Sequence, residues 1–102
     1  MDRNIEIEKA LLESGLRPNV KGFLYCAQVV GYCRKNGLEL KKAYKSVGDR
    51  YNLMPNSIEK SISNAIERAF LRIDIQCMFA ALSDKNAKLT NKKFIEYVLA
   101  RL

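Results

Sequence analysis

Apolar residues recur at helical spacing along most of the chain and nowhere alternate in the rhythm of a half-buried strand. That periodicity leaves an all-α fold. It is clearest in PNSIEKSISNAIERAF, residues 55–70, where Ile58, Ile62, Ala65, Ile66, Ala69 and Phe70 form one stripe. The rest of this segment is unusual for a helix. It carries Asn56, Ser57, Ser61, Ser63 and Asn64, residue types costing about half a kcal/mol each relative to Ala. Lys, Glu or Gln would solvate the same face at lower cost.

The remaining periodicity predicts six helices joined by short loops. The first spans about 4–14, with Ile5, Leu11 and Leu12 inward and Gly15 ending it. A second, over 20–35, presents Phe23, Leu24, Ala27, Val30 and Cys33 and stops at Asn36-Gly37. A third covers 40–51, with Leu40, Ala43, Tyr44 and Val47 on one side. The fourth is the opening segment, extended to about 72. A fifth, over 74–82, is apolar at Ile75, Met78, Phe79 and Leu82. The last carries Phe94, Ile95, Val98, Leu99 and Leu102 and takes Thr90 or Asn91 as its cap. With 102 residues and no linker or repeat, the expectation is one compact domain, 1–102.

Between the third and fourth helices, SVGDRYNLMPNSI has the grammar of a helix-turn-helix. Gly48 supplies the small residue at a close crossing. Asn52 is the best non-glycine candidate for a left-handed turn residue. Leu53 follows where a side chain plugs the turn into the core, and Val47 and Ile58 can meet between the helices. Pro55 preorganises the first turn of the second helix, where its missing N–H costs nothing. The same grammar occurs in two-helix corners that bind no DNA, so charge and surface must supply the rest.

Charge is distributed unevenly. Residues 1–39 hold six Lys/Arg against five Asp/Glu, whereas residues 40–102 hold twelve against six, for a net charge of +7 overall. Such an excess suits a polyanion, because neutralising phosphates releases counterions. With Ile62 at the centre of the buried face, a turn of about 100° per residue puts Ser57, Lys60 and Asn64 nearly opposite. Asn56 and Ser61 flank them, and Glu59 lies nearer the edge. In a helix-turn-helix the N-terminal half of the second helix enters the major groove. Short Ser and Asn side chains admit a duplex closely and bond phosphates or base edges, and Lys60 can reach a guanine or a phosphate. Glu67 and Leu71 on the same side end the compatible surface near Asn64.

Other chemistry has little support. There is no His, which removes the commonest general base, and no P-loop or GxGxxG. Carboxylate pairs such as Glu6/Glu8 and Asp84/Glu96 fall on charged surfaces. Cys26, Cys33 and Cys77 read as reduced core residues, since neither CxxC nor His accompanies them. The expectation is therefore a non-enzyme without catalytic residues, metal, cofactor or small-molecule substrate. No apolar run approaches a membrane span and the first residues lack a signal peptide's apolar stretch, which places the protein in the cytoplasm, at the nucleoid.

Four stretches also carry a family resemblance: VKGFLY, RYN, IEKSISNAIERAF and KLTNKKFI. In the same helical order, about 5–102, the chain resembles the C-terminal DNA-binding (effector) domain of the sporulation initiation response regulator of endospore-forming bacteria. The resemblance implies a six-helix effector fold whose third and fourth helices form the helix-turn-helix. It further implies binding of double-stranded DNA at short promoter boxes, often as tandem copies, and contact with RNA polymerase sigma factors. In that family an Arg, a Glu and a second Arg read the bases, and these fall at Ser57, Glu59 and Lys60. Only Glu59 is retained. Lys60 keeps charge without the bidentate fork, and Ser57 keeps neither. A further basic position is Ser63, and the family's His position is Asn64. Affinity then leans on phosphate contacts from residues such as Lys41, Lys42, Lys45 and Arg50.

The family's receiver domain is not among these 102 residues, as expected of either a short complete protein or a fragment. Two functions follow. One is a sequence-specific DNA-binding transcriptional regulator, with Ser57, Glu59 and Lys60 at the bases and Asn56, Ser61 and Asn64 positioning the backbone, able to form a homodimer on DNA. The other is a protein-interaction module that dimerises with, or antagonises, a full-length regulator or a sigma factor.

Overall fold

The computed structural model describes residues 5–18, 20–70 and 90–102. Among them are five helices: α1 (Ile5–Glu13), α2 (Lys21–Asn36), α3 (Leu40–Tyr51), α4 (Pro55–Phe70) and α5 (Asn91–Ala100). The described residues contain no strand. The predicted helix over 74–82, and with it Leu71 and Cys77, lies outside them. No described helix is long and apolar enough to cross a membrane.

α2 is the hub, packing against α1, α3, α4 and α5, and α4 in turn touches α3 and α5. Their shared core contains Phe23, Cys26, Val29 and Val30 from α2, Ala43 and Val47 from α3, and Ile58, Ile62 and Ile66 from α4. Phe94, Ile95 and Val98 of α5 are completely buried in it. The isoleucine stripe thus faces inward, as its spacing requires.

Several expected core residues are outside. In α1 the inward set is Ile7, Ala10 and Leu11, continued by Ser14, at i, i+3, i+4 and i+7. Ile5 and Leu12 are exposed, because periodicity, rather than apolarity alone, decides which residues face a neighbouring helix. Leu24 is exposed as well. It lies opposite the Cys26–Cys33 line that α2 turns towards its partners. Ser14, wholly buried, satisfies its hydroxyl by donating to the Ala10 carbonyl at 2.7 Å.

The helix ends follow backbone chemistry. Gly15 takes φ 99° after α1, which lets the Leu16 N–H turn back to the Leu11 carbonyl at 3.1 Å. Asn52 is left-handed after α3, with φ 57° and ψ 46°. The following N–H, from Leu53, reaches the Gly48 carbonyl at 2.8 Å. The corner is therefore closed by backbone. The Leu53 side chain does not plug it and is 39 % exposed. At α5, Thr90 is the cap: its hydroxyl accepts from the Lys93 N–H at 3.2 Å.

Two glycines set how closely the elements approach. A Cβ at Gly48 would stand 2.5 Å from the Leu53 carbonyl oxygen. A Cβ at Gly22 would collide with the Ser61 carbonyl oxygen and lie 2.6 Å from the Ala65 Cβ. Backbone cannot give way as a flexible side chain can, so Gly22→Ala is expected to lower the unfolding free energy by about 1–3 kcal/mol. Gly31→Ala is expected to do the opposite. Among the described residues its methyl would meet only Ile7 Cδ1, at 3.6 Å, and would raise helix stability by up to about 1 kcal/mol. Urea unfolding with unchanged m-values checks both signs.

The core thiols add a pH dependence. Burial, with Cys33 nearby as the lesser cause, pushes the Cys26 thiol up to about 12 from its ordinary 9.0. Burial also raises Cys33. Above pH 9 the unfolded chain releases protons that the folded chain retains. The thiols' contribution is thus intact below pH 9 and is lost as pH rises towards about 12. Unfolding free energy should fall across that window, at up to about 1.4 kcal/mol per pH unit for each retained proton. Urea titrations of Cys26→Ala over the same window should show a shallower slope.

Candidate nucleic-acid interface

Two sides of α4 are occupied, and this explains part of its unusual composition. On one side α2 crosses at Gly22, directly over the Ser61 carbonyl and Ala65. Ser61 is partly buried there, and its backbone carbonyl lies under the crossing. Ser61, expected to flank the open face together with Asn56, thus lies at the edge of that face next to α2. On the other side stands the first residue of α5. The Asn91 amide N–H groups donate to the Glu59 carbonyl and to Tyr44 Oη, each at 3.2 Å. The Ser63 hydroxyl donates to Asn91 Oδ1 at 3.0 Å. Ser63 is thereby accounted for by packing and hydrogen bonding within the protein.

What remains outside is a narrow arc. Asn56, Ser57, Lys60 and Asn64 are all exposed on it, with Glu67 and Arg68 following further along. Glu59 is exposed at the margin of this arc, on the side where Asn91 holds its carbonyl. The structure therefore leaves Asn56, Ser57, Glu59, Lys60 and Asn64 exposed on one side of α4, with Ser61 partly buried at its edge.

The four cations of α3 do not form one cluster. Lys41 and Lys45 lie one turn apart on the same side. Both are exposed, and no described residue pairs with them. Lys42 is exposed but forms an ion pair with Glu39 at 3.4 Å, a contact of little energetic consequence in water. Arg50, nine residues beyond Lys41, is on the opposite side of the helix and donates to the Gln28 side chain of α2. The edge-to-face contact of Tyr25 and Tyr51, with centroids 5.2 Å apart, ties the same end of α3 to α2. Arg50 is thus a fastening between helices, apart from the Lys41–Lys45 side.

Two cations were missed because KLTNKKFI reads first as a capping sequence. Lys92 and Lys93 are exposed and directly follow Asn91, whose side chain touches α4. The first turns of α2, α3, α4 and α5 contain no acidic residue, and α3 and α5 each place two lysines there. The positive end of a helix dipole disfavours lysine by a few tenths of a kcal/mol up to about 1 kcal/mol. These ends therefore concentrate positive potential at some expense of stability. Tyr44 stays protonated beneath them: burial raises its phenol, and the Asn91 hydrogen bond only partly opposes the shift.

A basic, all-helical domain with one helix held on two sides and open on a third, along an arc of short polar groups, has the build of a nucleic-acid-binding domain. Residues 7–102 match the model of the family described as Sporulation initiation factor Spo0A C terminal. The chain belongs to that family of DNA-binding effector domains, as the resemblance implied, and the match covers nearly its whole length.

Proposed function

We propose that the chain is a sequence-specific transcriptional regulator in which α3, the corner at 52–54 and α4 act as the helix-turn-helix. The observation that carries this reading is the open arc of α4. Its N-terminal half is exposed at Asn56, Ser57, Lys60 and Asn64, while α2 and α5 occupy the flanks. Short side chains there let the duplex come close, so the major groove would receive the first three turns of the helix.

Within that docking, Ser57, Glu59 and Lys60 face base edges. Glu59 suits the exocyclic amine of cytosine and Lys60 the acceptors of guanine. Asn56 and Asn64 bond the backbone at either end of the contact. Lys41, Lys42 and Lys45 supply charge from α3, and Lys92 and Lys93 supply it from α5. No catalytic step belongs to this reading. Tandem binding of two copies on a promoter and contact with a sigma factor are part of the proposal, on the strength of the family.

A second reading has one observation in its favour. Met54 is 70 % exposed at the corner beside Leu53, an apolar pair suited to a protein partner such as a full-length regulator or a sigma factor. A stoichiometric protein complex, with no salt-sensitive binding to DNA, would select it.

The test of the first reading is anisotropy titration with duplexes enriched by this protein from a random library. Lys60→Ala should weaken binding about tenfold, or about 1.4 kcal/mol, whereas Glu67→Ala should change it less than twofold. Salt dependence then assigns the contact. A phosphate partner for Lys60 would lower the slope of log K against log salt by about 0.9, and a base partner would leave the slope unchanged. Binding indifferent to Lys60 would refute this docking.

A further inference from the structure

We propose that Asn91 is a positioning residue for base reading: it sets the rotation and height of α4 relative to the rest of the domain, and so controls sequence discrimination more than affinity. The inference rests on the DNA-binding reading above and extends it to a residue outside the α3–α4 unit.

All the hydrogen-bonding capacity that the Asn91 amide offers through its N–H groups is used, and used across elements. One N–H goes to the Tyr44 hydroxyl on α3 and the other to the Glu59 carbonyl on α4, while Oδ1 accepts from Ser63 one turn further along α4. Three helices meet at one side chain. Capping does not account for it, because Thr90 already serves the Lys93 N–H. Nor does it belong to the apolar contact that seats α5, which Phe94, Ile95 and Val98 supply, each completely buried.

Apolar packing and an amide constrain a helix differently. Burial is non-directional, and the close contacts at Gly22 and Gly48 limit how near α2 and α3 come to α4, so packing constrains a small rotation of α4 less than its approach. Three hydrogen bonds with preferred lengths and angles constrain both. They grip α4 at Glu59 and Ser63, within the stretch whose outer side chains include Ser57, Lys60 and Asn64. Contacts that distinguish one base from another need placement within about 0.5 Å and 10–20°. Phosphate attraction falls off gently with distance and tolerates more. Loosening this grip should therefore cost discrimination first.

The experiment compares an enriched duplex with a scrambled one, at several salt concentrations and well below each variant's melting temperature. Asn91→Ala should lose at least fivefold in the ratio of the two affinities, with scrambled-duplex affinity and salt slope unchanged. Tyr44→Phe and Ser63→Ala, each removing one bond, should show smaller losses in the same direction and carry the test if Asn91→Ala does not fold. Ile7→Val, a core change on α1, whose main helix contacts are with α2 and α5, destabilises without removing any of the three bonds and should keep the wild-type ratio.

Wild-type discrimination in folded Asn91→Ala, an equal fall in both affinities, or a matching loss in Ile7→Val would each overturn the positioning role while leaving DNA binding intact. A wild-type protein that binds no duplex, or enriches no sequence, would overturn both readings together.

Discussion

The structure depends on the place where α2 and α4 meet backbone to backbone. Gly22 has no side chain, and the space a methyl would need is taken by the Ser61 carbonyl and the Ala65 methyl. This approach brings the α2 core residues Phe23, Cys26 and Val30 together with Ile58, Ile62 and Ile66 from α4. A second close contact, between Gly48 and the backbone after Asn52, brings α3 onto the beginning of α4. With one helix held hard against α4 and another turned directly into it, α4 cannot move closer to either, but these contacts alone leave its rotation to other restraints. The remaining flank is held by the Asn91 amide, a different kind of restraint acting on the same helix.

Stability and function pull in different directions on this scaffold. Lysines at the first turns of α3 and α5 oppose the helix dipole, and the Ser and Asn residues of α4 have poor helix propensity. A chain selected only for folding would replace both. They are tolerated because the core is dense with completely buried Ile, Val and Phe side chains, and burial contributes about 1.5–3 kcal/mol for each such residue. On the proposed DNA-binding reading both features have a use, since one would draw phosphates and the other would leave room for them.

Much of this was legible beforehand, for identifiable reasons. The span of α3 and the left-handed Asn52 could be read because they depend on local backbone chemistry. The inward stripe of α4 could be read because helical spacing is strict. Ile5, Leu12 and Leu24 were misplaced where apolarity outweighed periodicity, and Leu53 where a motif's usual role was carried over to a corner that its backbone closes by itself. On α4, the helical wheel put Asn56, Ser57, Lys60 and Asn64 outward, and all four are exposed. Ser61, Ser63 and Arg50 had been grouped with surface chemistry on residue type. The Ser63 and Arg50 side chains turned out to bond residues of other helices, and the Ser61 backbone to lie under Gly22, all partners 22 or more residues away in sequence that no local pattern encodes.

The division has a physical basis. Helix positions, their ends and their buried stripes follow from steric limits and periodicities acting over a few residues, and the sequence alone determined them. Family membership was legible for a related reason, as the stretches that carry the resemblance follow one another in order along the chain. Which polar residues face outward, and which fasten one helix to another, depends on what lies across the gap. A serine on α4 is a surface group or a strut according to whether Asn91 or solvent stands opposite. Only the tertiary structure decided that, because a hydrogen bond needs its partner within about 3 Å, and folding alone brings residues distant in sequence that close.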